Sequence, residues 1–181
     1  MKCLIKQAFH FFLNITIFVK VNFMKRSMKV VLFASHLALA GIGFAAGIYI
    51  LPVLTAEKGS TIDELKSVKD NFRYQGEFNK NQKGSNALHW AEGNLFVNDR
   101  EIAFEGTVAP GPDYKIYLTK KKADSKDEFI KIKEDSLYIG DLKSFGNFIK
   151  TLPNGVNIDE YSAVQIWCES FGQFISSASF K

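Results

Sequence analysis

The sequence predicts an all-β domain behind a single N-terminal membrane-crossing helix. Two observations predict the domain. After Asn71 the apolar residues recur with period two, in short runs rich in Phe, Tyr, Ile and Val. Gly, Pro, Asn and Asp separate those runs at close spacing, the punctuation of an antiparallel β-sandwich or barrel-like fold. A third observation predicts the helix: residues 30–54, VVLFASHLALAGIGFAAGIYILPVL, carry no formal charge. Val30 to Leu51 alone would rise roughly 33 Å as an α-helix, enough to cross a hydrocarbon core of about 30 Å.

In chain order, residues 1–23 come first, crowded with Phe, Ile, Lys and Asn. Their longest uncharged run, Gln7 to Val19, is too short to span comfortably. Met24 opens a more conventional basic leader, MKRSMK, so the expected translation start is Met24 or Met28, with 1–23 an upstream extension. Residues 24–56 read as an uncleaved signal anchor. The apolar run exceeds the 7–15 or so residues of a cleavable signal, and its exit, Leu54-Thr55-Ala56, is a poor cleavage site. Residues 1–56 carry six of the 23 basic residues and none of the 19 acidic ones. That leaves 17 basic against 19 acidic, a net of −2, for the rest. The overall charge of +4 is thus a topology signal. Lys25, Arg26 and Lys29 place the N-terminus in the cytoplasm and the following domain in the periplasm or outside the cell. The expected protein is single-pass in the plasma (inner) membrane, with the bilayer as its partner through residues 30–54. No basic stripe interleaved with aromatics follows, so nucleic acid is not an expected partner. Gly43 and Gly47 form a GxxxG, a spacing that lets helices approach closely and that is common by chance in Gly/Ala-rich spans.

Residues 57–71 read as a stalk. Thr61 and Glu64 have capping-box spacing, and Ile62, Leu65 and Val68 follow at helical intervals, which predicts a short helix over 60–70 that holds the domain off the bilayer. The β-domain is expected over 72–181. Its strands are predicted at 72–78, 86–92, 94–97, 100–106, 114–119, 128–133, 136–140, 147–152, 163–168 and 173–180. Asn98-Asp99 has the composition of a two-residue hairpin turn. The charged run 119–128, TKKKADSKDE, reads as a solvated loop. About 110 residues bury a core without disulfide support.

Cys168 is the only sulfur-bearing residue after Met28. In AVQIWC, alternation puts Val164, Ile166 and Cys168 on one face and Ala163, Gln165 and Trp167 on the other. Packed with two β-branched aliphatics, the thiol would be a small inert hydrophobe. Outside the cytoplasm, however, an unpaired cysteine points to a redox or ligating role or to an intermolecular disulfide. These readings stand side by side. The downstream domain has one histidine, His89, and no methionine, so paired His/Met or His/His haem ligation within it is excluded. A four-ligand structural zinc site is excluded too, and no metal site is expected. His89 alternates with Ala87 and Ala91, which places it on the surface or the second face. No G-x-S-x-G, H-E-x-x-H, P-loop or paired-carboxylate spacing occurs, so a stand-alone enzyme is not expected.

The ordered pieces GPDYKIYL (111–118), IGDLKSFGNF (139–148), LPNGVNIDEYSAVQIWCESF (152–171) and the closing QFISSASF resemble the DM-thirteen domain, also called the electron-transfer DM-thirteen family. The resemblance covers residues 72–181. It departs from the usual pattern at Asn147-Phe148, where many members place Gln and Tyr. The resemblance implies a sandwich-like module found in membrane-anchored bacterial proteins, with Skeletor-type proteins in animals, and beside DOMON and cytochrome b modules in plants. It implies that Cys168 is a redox thiol and that Trp167, Tyr161, Phe171 and Phe174 gather near it as a pocket for a flat ligand or an electron path. Asp113 and Asp141 lie in flanking loops, where functional residues and turn-formers both concentrate. The expected function is a redox or electron-transfer accessory with a redox protein partner. The alternative is a non-enzymatic ligand-binding or protein-interaction module with a structural cysteine. The sequence names no cofactor.

Overall fold

A computed structural model describes residues 25–181; the reading of residues 1–23 and of the start at Met24 lies outside them. The chain divides into two compact units at Ala46/Gly47. Helix α1 (Arg26–Leu54) bears out the predicted apolar helix, with a mean hydropathy of 2.2 over its most apolar window and no buried residue. Its few polar side chains fold back onto its own backbone. Ser35 Oγ donates to the Leu32 carbonyl at 2.8 Å, and His36 Nδ1 lies 2.8 Å from the same oxygen. Such internal satisfaction is what a lipid-facing helix requires. The helix is long and apolar enough to cross a membrane; a signal sequence has the same character.

Helix α2 (Ile62–Lys69) forms where the capping box predicts it. The Glu64 N–H donates to Thr61 Oγ1 at 3.3 Å, and the Thr61 N–H donates to Glu64 Oε2 at 2.7 Å. The helix is not a free spacer. Leu65 and Val68 are fully buried against Phe96 and Ala103, and Lys69 pairs with Glu105 at 2.6 Å.

The β-domain is a sandwich of two antiparallel four-stranded sheets. The strands are β1 (Tyr74–Phe78), β2 (Ala91–Val97), β3 (Glu101–Val108), β4 (Tyr114–Thr119), β5 (Leu137–Leu142), β6 (Phe148–Thr151), β7 (Ala163–Cys168) and β8 (Gln173–Ser179). One sheet has the order β1-β2-β3-β6, the other β5-β4-β7-β8. Between them lies a core built on Leu95, Phe104, Ile116, Leu118, Val164 and Ile166. Phe104 stacks on Phe148 at 5.0 Å and meets Phe78 edge-on at 5.4 Å, the offset and T-shaped arrangements that aromatic quadrupoles favour.

Four predicted segments come out differently. The segments 86–92 and 94–97 are one strand, β2, entered by a turn. Asn86 Oδ1 accepts the Leu88 and His89 N–H groups, and this closes an Asx turn that takes 86–90 out of the sheet. The segment 128–133 is helix α3 (Lys126–Ile132) running into a 3₁₀ turn (Lys133–Asp135), because its apolar pair is Phe129 and Ile132, three apart. The run 119–128 is only partly solvated: Thr119 ends β4, and Ala123 is buried under α3. Asn98-Asp99 does form the β2–β3 turn, with Arg100 added. Asn98 Oδ1 accepts the N–H groups of Arg100 and Glu101.

Strand β8 is a sheet edge, and side chains cap it. Gln82 accepts the Ser177 N–H at 2.9 Å and donates to the Ser177 carbonyl, while Ser85 Oγ donates to the Ile175 carbonyl. Backbone groups that would template a further strand are thereby occupied. Gly76 lets β1 close in on β8 farther along the strand; a Cβ there would lie 2.2 Å from the Ser179 carbonyl oxygen.

Candidate functional site

Cys168 ends β7 at one end of the sandwich. In register its neighbours are Tyr114 of β4 and Gln173 of β8. The predicted alternation holds: Val164, Ile166 and Cys168 enter the central core, while Trp167 faces the other way. All six residues of β7 are nevertheless buried, because α3 covers the outer face. Cys168 is 2% exposed.

The thiol donates to the Pro112 carbonyl at 3.0 Å. Burial pushes its pKa up, since a thiolate would lose its hydration. The N–H groups of Phe171 and Ser170, in the β7–β8 turn, act weakly in the opposite sense, and the carboxylates of Asp113 and Glu169 push further up. The resting group is therefore a protonated, hydrogen-bonded thiol.

The loop and the turn that roof the sulfur are tied together. Asp113 sits at φ 54°, in the left-handed region that Asp tolerates better than most side chains. Its carbonyl accepts the Glu169 N–H at 3.1 Å, and its Oδ2 accepts Ser170 Oγ–H at 2.7 Å. Lys115 bridges Asp113 at 3.0 Å and Asp141 at 2.6 Å, and Tyr138 donates its hydroxyl to Asp141. The Ser170 hydrogen bond holds the Asp113 carboxyl below its ordinary range, and the Lys115 bond does the same for Asp141. Gly172, at φ 53°, closes the turn.

The four expected aromatics do not form one cluster around the sulfur. Trp167 and Phe174 lie on the opposite face of the sheet with Tyr117 and Phe129; the Phe129 and Trp167 rings are 5.0 Å apart. There Lys133 Nζ lies 5.6 Å from the Trp167 ring and 2.7 Å from Glu169 Oε2, and Tyr117 donates its hydroxyl to Glu169. Burial pushes the Glu169 carboxyl up, but Lys133 and Tyr117 outweigh it and its pKa is net lowered. Tyr161 packs against the central core just before β7 begins, at the strand end away from Cys168. Phe171 is 59% exposed at the turn tip. Of the predicted residues, the structure brings Cys168 and Asp113 together through the Pro112–Asp113 loop.

The aromatic that does share the thiol's position is Tyr114, buried in the same core and packed edge-on against Phe145 at 6.1 Å. Burial drives its hydroxyl pKa up strongly. Its signal lay in GPDYK, but only the β4–β7 pairing register reveals it. A cleft of about 360 Å³ opens here, lined by Pro112, Asp113, Tyr114, Leu142 and Phe145 together with Leu51 of the same unit. Cys168 itself is not among the lining residues; the cleft reaches it through Pro112 and Tyr114. Among the described residues no three His, Cys, Asp or Glu side chains converge as a metal site. His89 stands apart in the loop before β2, bonded to Asn86 Nδ2 at 3.0 Å, with its pKa lowered by burial.

A family model described as Electron transfer DM13 matches residues 77–180, which includes every residue of this site on the β-domain. No curated protein and no solved structure matches the chain.

Proposed function

The chain belongs to the Electron transfer DM13 family, and on that premise we propose that its β-domain is a redox accessory that works through Cys168, anchored by residues 30–54 with the domain outside the cytoplasm. One observation carries the assignment to this residue: Cys168 is the only sulfur in the family-matched region, and it ends β7 beside the Pro112–Asp113 loop and a four-residue turn. The step that fits a protonated thiol with nearby N–H donors is thiol–disulfide exchange with a disulfide-bearing partner. As the thiol proton leaves, its sulfur attacks one partner sulfur. The partner S–S bond breaks, a Cys168–partner disulfide forms, and the released sulfur departs as a thiol. A second partner thiol reverses the step and restores Cys168. Exchange requires the 169–172 turn to lift from the sulfur, and Gly172 is suited to hinge it.

The second reading, a ligand-binding or protein-interaction module with a structural cysteine, is favoured by the 2% exposure of Cys168 and its membership of the central core. The experiment that separates the two incubates the full chain in detergent with a small symmetrical disulfide, with and without denaturant, and reads the mass. The redox reading expects one adduct on Cys168 in the native chain, removed by excess thiol, with no loss of far-UV signal. An adduct that forms in denaturant alone leaves the structural reading standing.

A further inference from the structure

The short connection after α1 fixes which end of the sandwich lies near the end of that helix. Leu54 is its last residue, and the Glu57 N–H already donates to the Lys143 carbonyl at 2.9 Å. The Ser60 N–H then donates to the Asn147 carbonyl at 2.9 Å. Leu54, Glu57, Lys143 and Asn147 all belong to the second unit, 47–181. Three residues span at most about 10 Å, so the 143–147 loop cannot lie far from the helix end. That loop follows β5, whose Leu142 pairs with Tyr114, and Tyr114 pairs in turn with Cys168. Two strand spacings of roughly 4.8 Å separate Leu142 from Cys168 along the same edge of the sheet. The far ends of the strands, at Thr119 and Ala163, lie five residues or roughly 17 Å away.

We propose that this thiol-bearing end rests on the lipid surface of the bilayer that α1 crosses, so that Cys168 is reached from the membrane phase and its partner is membrane-embedded or lipid-dissolved. The inference rests on the anchor reading above. The character of the surface fits it. Phe171 projects from the turn over Cys168 at 59% exposure, a lone aromatic at an interface depth where apolar side chains are favoured. The carboxylates at this end are ion-paired, Asp113 and Asp141 sharing Lys115 and Glu169 meeting Lys133, which leaves a single net negative charge among the five groups. Lys143 pairs with Glu57 at 3.4 Å beside the tether, and both side chains stay exposed.

The test uses the full chain reconstituted into lipid vesicles, in a background of Cys3→Ser and Cys168→Ser. A single probe site is made by Gly146→Cys, where a side chain meets no atom within 4 Å, or by Lys120→Cys beyond the far end of β4. Each site carries a fluorophore, and quenching is measured with a headgroup-attached lipid quencher and with a water-soluble one. The proposal expects the probe at 146 to be quenched several-fold more by the lipid quencher than the probe at 120, with the reverse order for the aqueous quencher, and expects Phe171→Ser to narrow the difference. Equal responses at 146 and 120 in a chain that resists alkaline extraction overturn the orientation and leave the anchor standing. A chain stripped from the vesicles by alkali overturns the anchor reading, and this inference with it.

Discussion

Replacing Ser170 by alanine should unlatch the turn that covers the thiol. Ser170 Oγ donates to Asp113 Oδ2 at 2.7 Å, a bond to a charged acceptor. Buried, such a bond contributes about 1.5–3 kcal/mol; at this exposed position about 1 kcal/mol is the appropriate figure. Native-state access to a buried group goes through local opening, so a 1 kcal/mol loss raises the open population about fivefold. The same bond is absent from the unfolded chain, so global stability should fall by about the same 1 kcal/mol. The assay is the second-order rate of Cys168 with a neutral thiol reagent at pH 8, divided by the rate in denaturant, for wild type and Ser170→Ala. The Ser170→Ala chain should label about five times faster, with a melting temperature lower by about 4–8 °C. Equal native rates would refute the idea that this clasp gates the sulfur.

Further expectations concern the frame around the site. Phe129→Ala removes the side chain by which α3 packs on Trp167, and should cost about 3–5 kcal/mol and shift tryptophan emission to the red. Leu65→Ala should cost about 2–4 kcal/mol in chemical denaturation because α2 is docked on β2 and β3, whereas a free stalk would register almost nothing. The lowered carboxyls of Asp113, Asp141 and Asp159 contribute stability that is present above their ordinary range, near pH 4. It is lost as pH falls through their depressed folded values, so the melting temperature should hold from pH 7 to 5 and drop below pH 4. Asn at all three positions should flatten that drop.

Much of the frame could be read from residue order. The uncharged run after Lys29 and the capping box at Thr61 and Glu64 are local signals, and both helices form where those signals lie. The alternation of AVQIWC likewise put Cys168 with Val164 and Ile166. Readings failed where a distant segment decided the outcome. EFIKIK alternates well enough for a strand, but Trp167 and Tyr117 offer a patch that Phe129 and Ile132 fill only at helical spacing. The expected aromatic cluster assumed that neighbours in sequence are neighbours in space. A strand sends Trp167 and Cys168 to opposite faces, and the length of β7 carries Tyr161 to the far end. Tyr114 became visible beside the thiol only through the β4–β7 register, and no local pattern encodes that register.

The redox role of Cys168 is tested most directly by trapping its state in native membranes. Cells expressing the full chain are quenched in acid, free thiols are blocked with a light reagent, and disulfides are then reduced and blocked with a heavy one. The account predicts a measurable heavy-labelled fraction at Cys168 that falls when a membrane-permeant reductant is given before the quench and recovers after its removal. A Cys168 that carries only the light label under every condition would contradict it.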